Sequence, residues 1–131
     1  MASFSAAARN RMLDTLNTEL GATPKFRVYA GTQPTNADTA LGGQTLLADI
    51  DLPSNPFSAA ASAAVALAAA AEDAAADSGG TATWGSFTKS DGTTRVLDVA
   101  IPTEVDFNTE TFTLGELIRL ATCSVSLPAT V

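Results

Sequence analysis

Phe57–Gly80 reads FSAAASAAVALAAAAEDAAADSGG. A helix here would give a mixed fold, and a strand would give a mainly β one. Ala is the best helix former, so propensity alone predicts a helix. Yet no helical period is visible where nearly every position is Ala. Val65 and Leu67 stand two apart, Phe57 follows a turn at Pro53-Ser54-Asn55-Pro56, and Glu72–Gly80 is small, polar and flexible. The flanking segments are β-like, and tertiary context commonly overrides propensity. The expectation is a strand followed by a loop.

Downstream, the pattern is clearer. Thr81–Thr88 is rich in Thr and aromatics, including Trp84 and Phe87. Ser90-Asp91-Gly92-Thr93 predicts a hairpin turn, since Asp-Gly tolerates the positive φ of a type I′ turn. Thr94–Ile101 alternates Leu97, Val99 and Ile101 with Val96, Asp98 and Ala100 until Pro102. Val105–Asn108 and Thr111–Leu114 are short strands with apolar pairs Val105/Phe107 and Phe112/Leu114. Glu116–Leu127 is a long last strand closed by Pro128.

Upstream, Thr45–Leu52 sets Ala48, Ile50 and Leu52 against Asp49 and Asp51. Gly31–Gly43 is a loop of Gly, Thr, Pro, Asn and Asp. Before it, Phe26, Val28 and Ala30 alternate with Lys25, Arg27 and Tyr29, the period of a half-buried strand. Ser3–Leu20 differs. Phe4, Ala8, Met12, Leu16 and Leu20 recur every four residues, and Leu13 joins their stripe. Ser3 or Ser5 can cap this helix, Gly21 can end it, and Pro24 follows. Arg9, Arg11, Asp14, Asn17 and Glu19 lie mostly off the stripe.

These elements predict a mainly β fold: an antiparallel β-sandwich of about seven strands with one N-terminal α-helix. The expected division is residues 1–22 as an amphipathic helix or arm and residues 23–131 as one sandwich domain, the helix either covering one end of the domain or serving as an arm. An arm would pack on a neighbouring subunit. Its removal would then leave a β-rich fold.

Composition narrows the function. The chain has 131 residues, 26 of them Ala, a net charge of −7, no His and one Cys. Ala contributes little burial energy, so the core is thin and oligomerisation is expected. Without His there is no Ser-His-Asp triad and no imidazole base or ligand. One Cys excludes an internal disulfide and a Cys-rich zinc site; Cys123 is expected as a small buried apolar residue. The acidic balance argues against gripping nucleic acid. No signal peptide is expected, and Ala59–Ala71 is too short and too weakly apolar to cross a membrane. Synthesis in a reducing cytoplasm is expected.

Few residues invite chemistry. Asp49 and Asp51 form a carboxylate pair that reads as a solvated strand face, without the Gly-containing loop that calcium requires. Glu72, Asp73 and Asp77 form a second acidic group; Glu104, Asp106 and Glu110 form a third, suited to solubility or to a basic partner. Arg27, Arg95 and Arg119 are expected to pair with carboxylates. Trp84 reads as a core aromatic, while an exposed Trp84 or Tyr29 would suit a glycan. No phosphate loop or nucleophile elbow is present, so neither enzyme activity nor a cofactor or metal is expected.

Several pieces resemble a known group. They are Ala8-Arg9-Asn10-Arg11-Met12-Leu13-Asp14-Thr15-Leu16, Phe26-Arg-Val-Tyr-Ala-Gly-Thr-Gln-Pro-Thr-Asn-Ala-Asp38, Leu46-Leu47-Ala48, Gly80-Thr-Ala-Thr-Trp-Gly85 and Ser90-Asp-Gly-Thr-Thr94. Together they resemble small virion structural proteins of tailed bacteriophages, from which the Ala-rich stretch departs. The resemblance implies a β-sandwich with a leading helix that serves as a building block of the particle. Foremost is a capsid decoration (cement) protein on the outer surface of the head, a homotrimer bridging major capsid subunits. A tail, baseplate or fibre component comes next, and a receptor- or glycan-binding module is more remote. The expected contact residues are Phe4, Met12, Leu13, Leu16, Leu20, Pro34 and Trp84.

Overall fold

A computed structural model describes residues 2–68 and 71–129. The helix is α1 (Ala6–Leu20). The first two strands are β1 (Lys25–Ala30) and β2 (Thr45–Asp51). The Ala-rich stretch supplies β3 (Ala64–Ala66) and β4 (Ala71–Asp73). Then come β5 (Gly80–Thr81), β6 (Trp84–Thr88), β7 (Arg95–Ala100), β8 (Val105–Phe107), β9 (Thr111–Phe112) and β10 (Ile118–Ser126). The fold is mainly β with one helix, as expected. The strands outnumber the expected seven because several are pieces of two or three residues.

The first sheet runs β2-β1-β6-β7, and all its pairs are antiparallel. In the second, β3, β4 and β8 all pair with β10. β3 and β4 meet successive stretches of β10 in registers that differ by one residue. The inner faces meet through phenylalanines. Phe26 of β1 lies 4.5 Å from Phe87 of β6 and 6.0 Å from Phe107 of β8, centroid to centroid. Val28, Ile50, Val99, Ile118 and Leu120 are buried around them.

Helix α1 belongs to the same core. Ser5 caps it by accepting from the Ala8 N–H at 3.1 Å, and Gly21, at φ 83°, ends it. Leu13 and Leu20 are buried in the cluster that holds the strand residues, and Leu16 packs against it. Within the chain, the helix and the strands therefore share one core. The N-terminal segment is tied down further: Phe4 N–H donates to Ala129 O at 2.7 Å, and Arg9 Nη1 donates to Leu127 O at 3.3 Å.

The Ala-rich stretch begins as a hairpin. Ala61 and Ala64 exchange both backbone bonds at 3.0 Å, Ser58 N–H donates to Ala66 O, and Phe57 bridges Leu67. The turn is Ser62–Ala63, with φ of 51° and 59°. Two-residue hairpin turns need this left-handed backbone, which Asn and Gly normally supply. Here α1 offsets the strain. Asn10, Asp14 and Asn17 share one helix face, being four and three residues apart. Asn17 Nδ2 donates to Phe57 O at 2.9 Å, and its Oδ1 accepts from Phe57 N–H at 3.1 Å. Asp14 Oδ1 accepts from Ala60 N–H at 2.7 Å, and Asn10 Oδ1 from Ala63 N–H at 2.8 Å. Ala lets the strand backbone come this close to a helix.

The β6–β7 turn differs from the expected type I′. Lys89 N–H donates to Thr94 O, so four residues form the loop, and of the central pair Gly92 alone has positive φ (73°). Asp91 closes it through its side chain, accepting from Thr94 Oγ1 at 2.6 Å and from the N–H groups of Thr93 and Thr94 at 2.9 Å each. These bonds, those from Thr94 foremost, hold its carboxyl well below the usual carboxylate range. A depressed folded-state pKa stabilises the fold above the ordinary Asp value and ceases to do so as pH falls through the folded one. Asp91→Ala is therefore expected to lower Tm by a few degrees at pH 7. In thermal melts the gap from the parent should narrow at strongly acidic pH; a gap independent of pH would refute the assignment.

Candidate functional site

The outer face of the first sheet carries most of the residues that drew attention in the sequence. With Phe26, Val28 and Phe87 turned inward, alternation points Arg27, Tyr29, Trp84, Ser86 and Asp98 outward. Register aligns Asp49, Arg27, Ser86 and Asp98 across four strands. Arg27 Nη2 meets Asp49 Oδ2 at 3.1 Å. Arg95 Nη1 meets Asp98 Oδ2 at 3.0 Å, with side chains 6% and 4% exposed. The expected carboxylate partners of the arginines are thus Asp49, Asp98 and, for Arg119, Glu72 at 3.3 Å. Asp51 is engaged too, by Lys25 at 2.7 Å.

Trp84 is fully buried and Tyr29 is 4% exposed, their rings stacked at 4.5 Å. The Arg95 guanidinium lies 5.7 Å from the Trp84 ring centroid. The loop after β1 crosses this face, and Arg95 Nη2 holds it by donating to Asn36 O and Thr39 O. Trp84 is therefore corrected as a contact residue: its ring is sealed between the sheet and its neighbours. The glycan reading loses both aromatics on which it rested.

Beneath the loop is a cavity of about 330 Å³ lined by Arg27, Tyr29, Asp38, Thr39, Thr93 and Arg95 among others. Both guanidiniums in its wall are already matched by carboxylates. A Cβ on Gly92 would come within 2.9 Å of the Arg27 guanidinium, so the hairpin seals against it. The arrangement is a packed polar layer that fixes the loop.

Members of the first two acidic groups approach each other. Asp73 Oδ2 accepts from Asp49 N–H at 3.1 Å, and its Oδ1 accepts from Ala75 N–H. Desolvation, followed by the nearby Asp73 and Asp49 carboxylates, raises the Asp77 carboxyl above its ordinary range. No cluster of three or more His, Cys, Asp or Glu suited to a metal occurs among the described residues. Cys123 is buried, and burial pushes its thiol up to about 12. No helix among the described residues is long and apolar enough to cross a membrane.

The other expected contact residues are scattered. Leu13 and Leu20 are corrected: they are core residues, 5% and 2% exposed. Phe4, Leu16 and Pro34 are half-buried, and Met12 is 40% exposed. The pairing of Leu114 with Phe112 as inward residues also fails, because β9 ends at Phe112 and Leu114 is 70% exposed. Gly115, at φ 82°, was the available signal that the chain turns there.

Compared with known proteins, the chain matches no family model, no curated protein and no solved structure.

Proposed function

We propose that this chain is a structural building block of a tailed-bacteriophage particle, acting as a decoration protein on the outer surface of the head. The supporting observation is where two of the phage-like pieces meet. Tyr29, from the 26–38 piece, stacks on Trp84, from the 80–85 piece. Thr83 Oγ1 donates to Gly31 O at 2.6 Å, and Thr83 N–H donates to Tyr29 O at 3.1 Å. The two pieces thus form an architectural joint, as a resemblance between building blocks would have it.

In this role the protein works by covering surface. Each copy bridges neighbouring capsid subunits through weak contacts that multiply over the lattice. Homotrimers would add burial to a thin core. The test is immunogold labelling of purified virions, with heat rupture of heads that have or lack the protein. Gold on the outer head surface and earlier rupture without the protein are expected. Gold confined to tails would place it in the tail, and unlabelled particles would refute the virion reading.

A further inference from the structure

Met12, Leu41, Leu114 and Leu117 are exposed large apolar residues, and the last two share one turn. Leu114 is 70% and Leu117 42% exposed. The turn is held from several sides. Gly115 N–H donates to Ala76 O at 2.9 Å, and Ala76 N–H to Glu116 O at 2.8 Å. Thr113 N–H donates to Glu116 Oε1 at 3.2 Å, and Asn108 Nδ2 to Leu117 O at 3.1 Å. An apolar anchor on a pinned backbone loses little freedom on being covered, which favours tight docking.

The surroundings are acidic. Glu116 lies between the two leucines, Asp77 follows Ala76, and Asp73 pairs opposite Ile118, while Arg119, two residues past Leu117, is paired with Glu72 at 3.3 Å. The sequence has no Lys or Arg between Arg27 and Lys89, nor between Arg95 and Arg119. The complement of such a knob is an apolar socket edged with Lys or Arg. A second copy is poorly equipped to offer one. Among the described residues, Lys25, Arg27, Lys89, Arg95 and Arg119 are all in ion pairs within the chain. Arg9 donates to Leu127 O; Arg11, exposed on α1, is in no ion pair among the described residues but is a single cation, and a charge of −7 makes copies repel.

We infer that the turn Thr113–Leu117 docks into an apolar socket edged with Lys or Arg on a different protein. This deepens the building-block reading, in which that protein is the capsid wall, but the knob does not require that identity. Leu114 and Leu117 enter the socket, and Glu116 meets its basic edge.

The test replaces Leu114 with benzoylphenylalanine in the full chain, made in the cells that naturally produce it, and maps the photo-adduct by mass spectrometry. The adduct is expected on an apolar peptide of another protein that carries Lys or Arg. Binding of that purified protein should then weaken at least about tenfold in Leu114→Ser with Leu117→Ser. Circular dichroism should be unchanged, because both side chains are solvent-facing. Glu116→Gln keeps an acceptor for Thr113 N–H but should weaken binding several-fold and flatten its salt dependence. A partner other than the capsid wall would overturn the head assignment and leave the knob standing. Adducts on the chain's own copies, no adduct, or full binding by the double variant would overturn the knob.

Discussion

A chain lacking residues 1–20 is expected to lose cooperative unfolding altogether. Leu13 and Leu20 are buried in the shared core. Truncating one such leucine costs about 2–5 kcal/mol, against a typical domain stability of about 5–15 kcal/mol. The deletion also frees the Phe57, Ala60 and Ala63 amides from Asn17, Asp14 and Asn10. Single variants grade the effect. Asn17→Ala removes two bonds and should cost about 2 kcal/mol; Asp14→Ala removes one and should cost about 1 kcal/mol. Urea unfolding followed by Trp84 fluorescence measures all three. A truncated chain with a sharp transition would restore the arm.

Gly85→Ala is expected to cost about 3 kcal/mol or more. A Cβ at position 85 would lie 2.4 Å from Phe26 Cζ and 3.1 Å from Arg27 O. Phe26 is fully buried against Phe87 and cannot swing away without opening the joint between the sheets. Overpacking of this kind typically costs about 1–3 kcal/mol, and more where backbone must move. Phe26→Leu, destabilising alone, should recover part of the loss when combined with Gly85→Ala, because the sites share one clash. Strict additivity in denaturant unfolding would show that the clash is absorbed elsewhere.

The sequence announced an element wherever one face met the core and the other met water. The period of two in Phe26, Val28, Ile50 and Val99 survives in the inner faces of β1, β2 and β7. The helix stripe likewise reaches the core through Leu13 and Leu20. Which way side chains face, though not the strand itself, was illegible where both faces are covered. Every residue of β6 is buried, because the outer face lies under the loop, Tyr29 and Arg95. A register shift at Val28/Tyr29 blurs alternation between β1 and β2 as well. Legibility also failed where polar residues serve backbone at a distance. Asn10, Asp14 and Asn17 look like a solvated helix face, and nothing local shows that they hold a hairpin some forty residues or more away. The candidate contact surface was the least legible part. Exposure of Leu114 depends on a two-residue strand ending early.

The Ser62–Ala63 turn has a kinetic consequence. In the unfolded chain, the Ala run around it gravitates toward helix, the conformation its residues prefer when alone. Native order there demands the opposite handedness at two consecutive non-glycine residues, and it is secured by groups that arrive from α1. Local and global preferences are thus in conflict over one segment of an otherwise consistent chain. That segment should order late in folding, after α1 has docked, and helix-promoting solvents should slow refolding by deepening the competing state.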